Sequence, residues 1–326
     1  MQAPLIPAPP LSLAAERAGI DAPEFTASLG SVRATADLTI FWRADPQRTH
    51  PRHCERYSAA PPLLSGKPRR VFLVDDEAKL DENLTVPLAA ESIALPCVDP
   101  GYAADVELAL RTHLRLAQAT TGEPTDGDSP DKKLADVLLQ ADHTHIFLGD
   151  DAGQDIGLSA ALHRLAAALR NRLHITVSTL GLPGNERGVL ETLTWLTGSP
   201  GPFLSTKNDV STSVDWLPGV LDDKRMSDPR FCDLLLRLGD FIPVAEPPFG
   251  VPGDVPRITL GSEPDPGAAV SFVVPLLDPR LSGTIMRSDG IMLTLCGDPT
   301  QGLPDPTVEL LCDLRQRIGR MVEVAR

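Results

Sequence analysis

The sequence predicts an α/β fold: a layered parallel-sheet domain followed by a second, smaller α/β domain. Three observations carry this. Short apolar, β-branched runs alternate with helix-length amphipathic segments from residue 35 to residue 180. One of those runs, "RRVFLVDD" (69–76), is almost continuously apolar, as a strand covered on both faces must be. At "GLPGNERG" (181–188) the texture changes to shorter strands and loops rich in Gly, Pro, Ser and Thr.

Taken in order, the opening "MQAPLIPAPPLSLAAERAG" has no basic leader and many prolines, so residues 1–30 are expected to form an extended arm. Strand "TADLTIFW" (35–42) comes next, then "RRVFLVDD" and "ESIALPC" (91–97). Residues 101–119 place Val106, Leu110, Leu114 and Ala117 on one helical stripe, expected to face the core. A polar loop follows, with Ser129 as N-cap and Pro130 as the first helical residue. Helix 133–142, strand 143–150, helix 157–171 and strand 174–180 complete a set of βαβ units with right-handed crossovers. The first domain therefore covers 31–182 and the second 183–326. In the second, the expectations are a helix at 188–198, an irregular stretch at 199–220 and a capped helix at 227–240. Short strands "FIPVAE", "PRITLG" and "VSFVVPLL", a hairpin at 283–295 and a helix at 305–325 complete it.

Composition narrows the function classes. A 326-residue chain with 42% hydrophobic residues and no apolar run of membrane-spanning length is expected to be cytoplasmic. Five scattered cysteines without a CxxC pair argue against an iron–sulfur cluster or structural zinc. The net charge of −14 disfavours nucleic acid. Against that background, residues 43–70 hold seven cations (Arg43, Arg48, Arg52, Arg56, Lys67, Arg69, Arg70) and two acids, a local excess of five positive charges.

Motif chemistry is sparse. His50 and His53 stand three apart around Pro51, but no third or fourth metal ligand has matching spacing, so loop or capping roles are preferred. His143 and His145 lie on one face of a strand and read as structural. The turn "GDDAGQDIG" (149–157) joins a strand to a helix, where phosphates often bind, yet Asp150, Asp151 and Asp155 would repel one. There is no GxGxxG, no GxxxxGK[ST] and no G-x-S-x-G, and no catalytic residue can be named.

More specific is "SVRATADLTIFWRADPQRTHPRHCERYS" (31–58). It resembles the molybdenum/tungsten-pterin B subunit of formylmethanofuran dehydrogenases, in which an ADLVVFW-type strand enters a W-G-x-N-P-x-x-S-H-P-R-H-x-x-R-Y loop. Trp42, Pro46, His50, Pro51, Arg52, His53, Arg56 and Tyr57 match. A second segment, "VSFVVPLLDPRLSGTIMRSDGIML", resembles the family's ADVVIP…GTxYRMDGVP, with Gly283, Thr284, Met286, Arg287, Asp289 and Gly290 in register. The departures are Arg43 in place of the motif's glycine and "GLPGNERG" where the family has R-G-H-x-N, and, since the likeness starts about 30 residues in, the family's N-terminal iron–sulfur and metal-ligand region is expected to be absent.

What the resemblance implies is a degenerate relative, most like the B subunit of the bacterial formyltransferase/hydrolase complex. It is expected to be a non-catalytic scaffold that has lost the pterin, the molybdenum or tungsten and the cluster. Its expected partners are the amidohydrolase-like, formyltransferase and β-helical subunits of that complex. The alternative is an active B subunit of a formylmethanofuran dehydrogenase. A free-standing small-molecule binder using the residual α/β crevice is a third reading. Arg43, Arg48, Arg52, Arg56 and Lys67 are candidate contacts for the glutamate-rich tail of a methanofuran-type carrier or for an acidic subunit. The competing reading makes the basic stretch inherited structure.

Overall fold

The structure is a computed structural model, and it describes residues 3–5, 25–81, 89–96, 102–118, 129–149, 152–153, 155–170, 172–180, 186–197, 203–207, 212–216, 233–239, 255–274, 282–287, 289–297 and 306–324. In chain order the elements are β1 (Ala3–Leu5), α1 (Leu29–Thr35), β2 (Leu38–Trp42), α2 (Pro46–Thr49), a π-helical turn (Cys54–Ser58), β3 (Arg70–Asp76) and α3 (Glu77–Asp81). They continue with β4 (Ala89–Leu95), α4 (Ala103–Gln118), α5 (Pro130–Leu139), β5 (His143–Leu148), α6 (Ile156–Leu169) and β6 (His174–Thr179). After these come α7 (Glu186–Thr197), β7 (Phe203–Lys207), β8 (Thr212–Trp216), β9 (Leu235–Leu238), β10 (Arg257–Gly261), β11 (Val270–Val273), β12 (Gly283–Met286), β13 (Met292–Leu295) and α8 (Pro306–Val324). The chain divides into two compact units. One comprises Ala8–Arg187 with Ser288–Ile291, the other Met1–Pro7, Gly188–Arg287 and Met292–Arg326.

In the first unit, five strands form a parallel sheet in the order β4-β3-β2-β5-β6. Apolar residues alternate between two buried faces, as a sheet covered on both sides requires. Ile40, Trp42, Phe72, Val74, Ile146 and Leu148 pack against α4, α5 and α6, which supply Leu108, Leu116, Leu134, Leu138, Leu158 and Leu162. Phe41, Val71, Leu73 and Phe147 pack on the other face, under Leu29 and Val32 of α1 and Cys54 of the π-helical turn. At an order-of-magnitude 1.5–3 kcal/mol per fully buried large side chain, these two layers are the main driving force for this unit.

Buried Arg69 joins α1 to the sheet. Its guanidinium donates to the carbonyls of Ala36, Val32 and Arg33 at 2.9, 2.9 and 3.0 Å, and also to that of Tyr57. Those are the orphan acceptors at the end of α1 and in the π-helical turn. Asp37 does the same for donors, accepting from the backbone N–H of Asp142 and His143.

The sheet and helices of 35–180 follow the sequence expectation, with differences. Helix α1 occupies the start of the stretch expected as strand, because Ser28 caps it through a 3.1 Å bond from the Ser31 N–H and Leu29 and Val32 bury one face. Within the expected N-terminal arm, Ala3–Leu5 forms an antiparallel strand against β7. The buried face of α4 is Asp105, Leu108, Ala109, Thr112 and Leu116. The stripe expected to face the core is instead outward, with Leu110 42% and Leu114 61% exposed.

In the second unit, β1, β7 and β8 form an antiparallel sheet, β11-β10-β9 a parallel one, and β12–β13 a hairpin. The hairpin and α8 agree with expectation. The stretch expected to be irregular holds β7 and β8, whose antiparallel register needs no apolar run to announce it. "LLRL", expected in a helix, is β9. A short apolar run fits either period, and Gly239, at φ +117°, ends it. The remainder of that expected helix (227–232) and the expected strand "FIPVAE" lie outside the described residues.

Replacing Arg69 by Met is expected to leave several buried carbonyls unsatisfied and to lower unfolding free energy by about 3 kcal/mol. Denaturant titration followed by fluorescence checks this, with Arg70→Met, whose side chain is half-exposed, as a near-neutral comparison.

Candidate functional site

Between β2 and β5 the strand order reverses, and the crevice beyond their carboxyl ends is where open α/β sheets hold ligands. Arg43 follows β2 directly and Gly149 follows β5. The Arg43 N–H donates to the Val74 carbonyl at 2.8 Å and the Gly149 N–H to that of Trp42 at 2.9 Å. A Cβ on Gly149 would lie 1.7 Å from the Arg43 carbonyl oxygen, so only glycine permits this closure. Arg43 itself has φ +52°, a left-handed conformation that favours glycine.

The side chain explains why arginine tolerates that backbone. Its guanidinium forks onto Asp105, with Nε and a terminal nitrogen each 3.0 Å from a carboxylate oxygen. Asp75 and Asp76, at the carboxyl end of β3, lie at 3.5 Å each. All four side chains are nine-tenths or more buried. Asp105 also accepts from Trp42 Nε1 at 2.7 Å and sits in the first turn of α4, where the helix dipole favours a carboxylate. Burial alone would lower the Arg43 pKa, but the hydrogen-bonded Asp105 and the charges of Asp75 and Asp76 hold it above its ordinary value. Burial pushes the Asp75 carboxyl up, only partly offset by the Asp76 N–H, Lys79 and Arg43.

The neighbouring helix terminus is also occupied from within. Asp155 caps α6, accepting from the Leu158 N–H at 2.7 Å. A Cβ on Gly153 would fall 2.5 Å from Thr179, so the turn after β5 packs tightly on the end of β6. The side chains of Asp150 and Asp151 lie outside the described residues.

The histidine pair is apolar in setting. His53 is buried, edge-on to Phe147 at a centroid distance of 4.6 Å, with Phe41 and Tyr57 around it, and neither ring nitrogen has a protein partner. Burial, then the nearby His50, pushes its pKa down to about 3. His145 is the satisfied structural histidine the sequence suggested, with its ring nitrogens 2.7 and 2.8 Å from the hydroxyls of Thr176 and Ser178. Burial, then His53 and Arg69, brings it also to about 3 against the opposing effect of Asp289. Among the described residues no group of three or more His, Cys, Asp or Glu could hold a metal ion.

The basic stretch is distributed rather than gathered. Arg43 is in the crevice, contrary to its expected place in an exposed basic field. Arg69 binds carbonyls, and Arg70 pairs with Glu91 at 2.7 Å. Lys67 pairs with Asp142 at 2.8 Å, which raises its pKa. Arg52 and Arg56 are exposed, both facing Glu55 at 2.5 and 3.8 Å. The Arg48 side chain lies outside the described residues. Sequence reasoning missed the three partners of Arg43. The acid pair closing "RRVFLVDD" was the available signal for two of them. In the second motif, Asp289 accepts from the Leu29 N–H at 2.6 Å beside Gly290, at φ +78°, and so tops the helix leading into the first motif.

This architecture defines a parallel-sheet α/β protein with a buried ion cluster at the carboxyl ends of β2 and β3. Whole-chain comparison bears out the resemblance carried by the two motifs. The chain is 23% identical over 293 residues to the B subunit of the tungsten-containing formylmethanofuran dehydrogenase 2 of Methanococcus maripaludis, covering 82% of this chain and 62% of that protein's length. It shares a fold with a chain of the formyltransferase/hydrolase complex FhcABCD of Methylorubrum extorquens, solved in complex with methylofuran. That match has a TM-score of 0.68 and 18% identity, and covers 90% of this chain and 78% of the other. No protein-family model matches the chain. Among the described residues no helix is long and apolar enough to cross a membrane.

Two outcomes are expected. Arg43→Met strands three buried carboxylates and is expected to cost about 3–5 kcal/mol at pH 7.5. The loss should shrink toward pH 5 as Asp75, whose carboxyl burial already pushes up, takes up a proton, measurable by urea unfolding at both values. His53 and His145 stay neutral when folded but protonate near pH 6.5 when unfolded. Stability is therefore fully present above pH 6.5 and falls toward pH 3, by about 2 kcal/mol per histidine at pH 5. His53→Phe should remove about half of that slope.

Proposed function

We propose that this chain is a non-catalytic, structural subunit of a formyltransferase/hydrolase-type complex. Such a complex transfers a formyl group from tetrahydromethanopterin to a methanofuran-type carrier and hydrolyses it to formate. The observation that carries the reading is the Arg43 cluster. Where the resembled motif has glycine and an open turn, this chain places a guanidinium bridged to Asp75, Asp76 and Asp105, which does not fit a pterin nucleotide. Two further facts agree with it. The similar fold is that of a chain in such a complex. The second unit also exposes Leu234, Leu236, Leu238, Val273 and Met292 at 47–63%, apolar surface suited to contact with the expected amidohydrolase-like, formyltransferase and β-helical subunits.

A second reading, an active B subunit of a formylmethanofuran dehydrogenase, is favoured by the sequence similarity to a tungsten-containing relative. Elemental analysis of the purified complex separates the two. The structural reading expects no molybdenum or tungsten stoichiometric with this chain, and one equivalent would establish the other.

The proposed carrier contact narrows to the exposed cations Arg52 and Arg56, joined by Lys67. Reversing Arg52 and Arg56 to Glu should raise the KM for a polyglutamylated carrier several-fold at low ionic strength, fading as salt approaches physiological strength. An unchanged KM at low salt, with the complex intact, removes this contact.

A further inference from the structure

Helix α4 carries two apolar faces, and among the described residues only the inner one packs into the core. The inner face packs Leu108, Ala109 and Leu116 into the core. The outer one consists of Ala103, Val106, Leu110, Leu114 and Ala117, and all but Ala117 line a groove of about 490 Å³ together with Tyr102 and Asp155. Ala103, Leu110, Leu114 and Ala117 are exposed and Val106 is half-buried. An isolated exposed leucine needs no explanation, but an unbroken stripe along a four-turn helix does.

The stripe is self-complementary. Its spacings, 3, 4, 4 and 3 residues, read the same from either end and centre on Leu110. We propose that the outer face of α4 is an interface between two copies of this chain, packed antiparallel about a two-fold axis through Leu110. In that arrangement Leu110 meets its own counterpart, Val106 meets the other copy's Leu114, and Ala103 meets its Ala117. The alanines at both ends allow close approach of the helices.

Charge is complementary in the same arrangement. A residue turns by about 100° and rises about 1.5 Å per step, so Glu107 and Arg111 flank the same edge of the stripe. The two-fold keeps that edge facing itself and reverses the direction, which brings Glu107 within about 3 Å along the axis of the other copy's Arg111, twice. Both side chains are more than half exposed and, within one chain, pair with each other, so the exchange needs only rotamer changes. His113 and Tyr102 flank the other edge, where no acid faces an acid. An isologous contact of this kind closes on itself at two copies.

The inference does not depend on which complex the chain belongs to. It is tested with a photo-reactive phenylalanine analogue at position 110 of the full chain, expressed together with its natural partners in ¹⁴N and ¹⁵N cultures that are combined, dissociated and reassembled before irradiation so that copies exchange. Irradiation is expected to link position 110 to α4 of a second copy, giving mixed-isotope peptide pairs. Glu107→Arg and Arg111→Glu should each cut that yield roughly tenfold, by setting like charges together. The Glu107→Arg/Arg111→Glu double variant should restore it, with circular dichroism unchanged throughout. Links from position 110 to a different polypeptide, single-isotope pairs only, or a double variant that does not recover would each overturn it.

Discussion

The buried ion cluster around Arg43 is the constraint on which the first unit's functional end depends. One guanidinium ties the end of β2 to the end of β3 through Asp75 and Asp76, and to the start of α4 through Asp105. Trp42, the largest fully buried side chain, is held by the same Asp105. Because the group bridges three elements, the left-handed backbone at Arg43 is sustained by its surroundings rather than by local preference. Close approach of Gly149 to the Arg43 carbonyl leaves no room there for a side chain. An end of a sheet that in other α/β proteins receives a ligand is here held together by an internal one.

That arrangement also accounts for the distribution of charge. The excess of cations between residues 43 and 70 looks like an electrostatic funnel in sequence. In three dimensions Arg43 and Arg69 are internal, one for carboxylates and one for carbonyls, while Arg70 and Lys67 face nearby acids. Arg52 and Arg56 present most of their charge to solvent, and Glu55 partly offsets them. A buried ion pair contributes less to net stability than its Coulombic strength suggests, so the cluster is better understood as fixing one geometry.

The parallel sheet was legible because β2, β3 and β5 are β-branched or aromatic runs buried on both faces, a pattern little else produces. The orientation of α4 was not, since its buried face includes Asp105 and Thr112 while its outer face carries the bulkier Leu110 and Leu114. Hydrophobic periodicity therefore pointed outward, toward a surface apolar for another reason. Strand β9 was misread because four apolar-rich residues satisfy two periods equally. At the candidate site, the resemblance singled out the turn at Arg43 and the substitution of its glycine. What the arginine binds was not legible, because Asp75, Asp76 and Asp105 lie roughly 30 to 60 residues downstream: the parallel register of β2 on β3 brings up the first two, and the placement of the start of α4 the third.

A high-resolution density map of the chain in its assembled complex addresses the central claim most directly, at the carboxyl ends of β2 and β5. The account predicts continuous density from the Arg43 guanidinium to Asp105, with Asp75 and Asp76 closing around it and no additional group in the crevice. Density for a pterin or a nucleotide phosphate there, with Arg43 turned away from the three carboxylates, would contradict it.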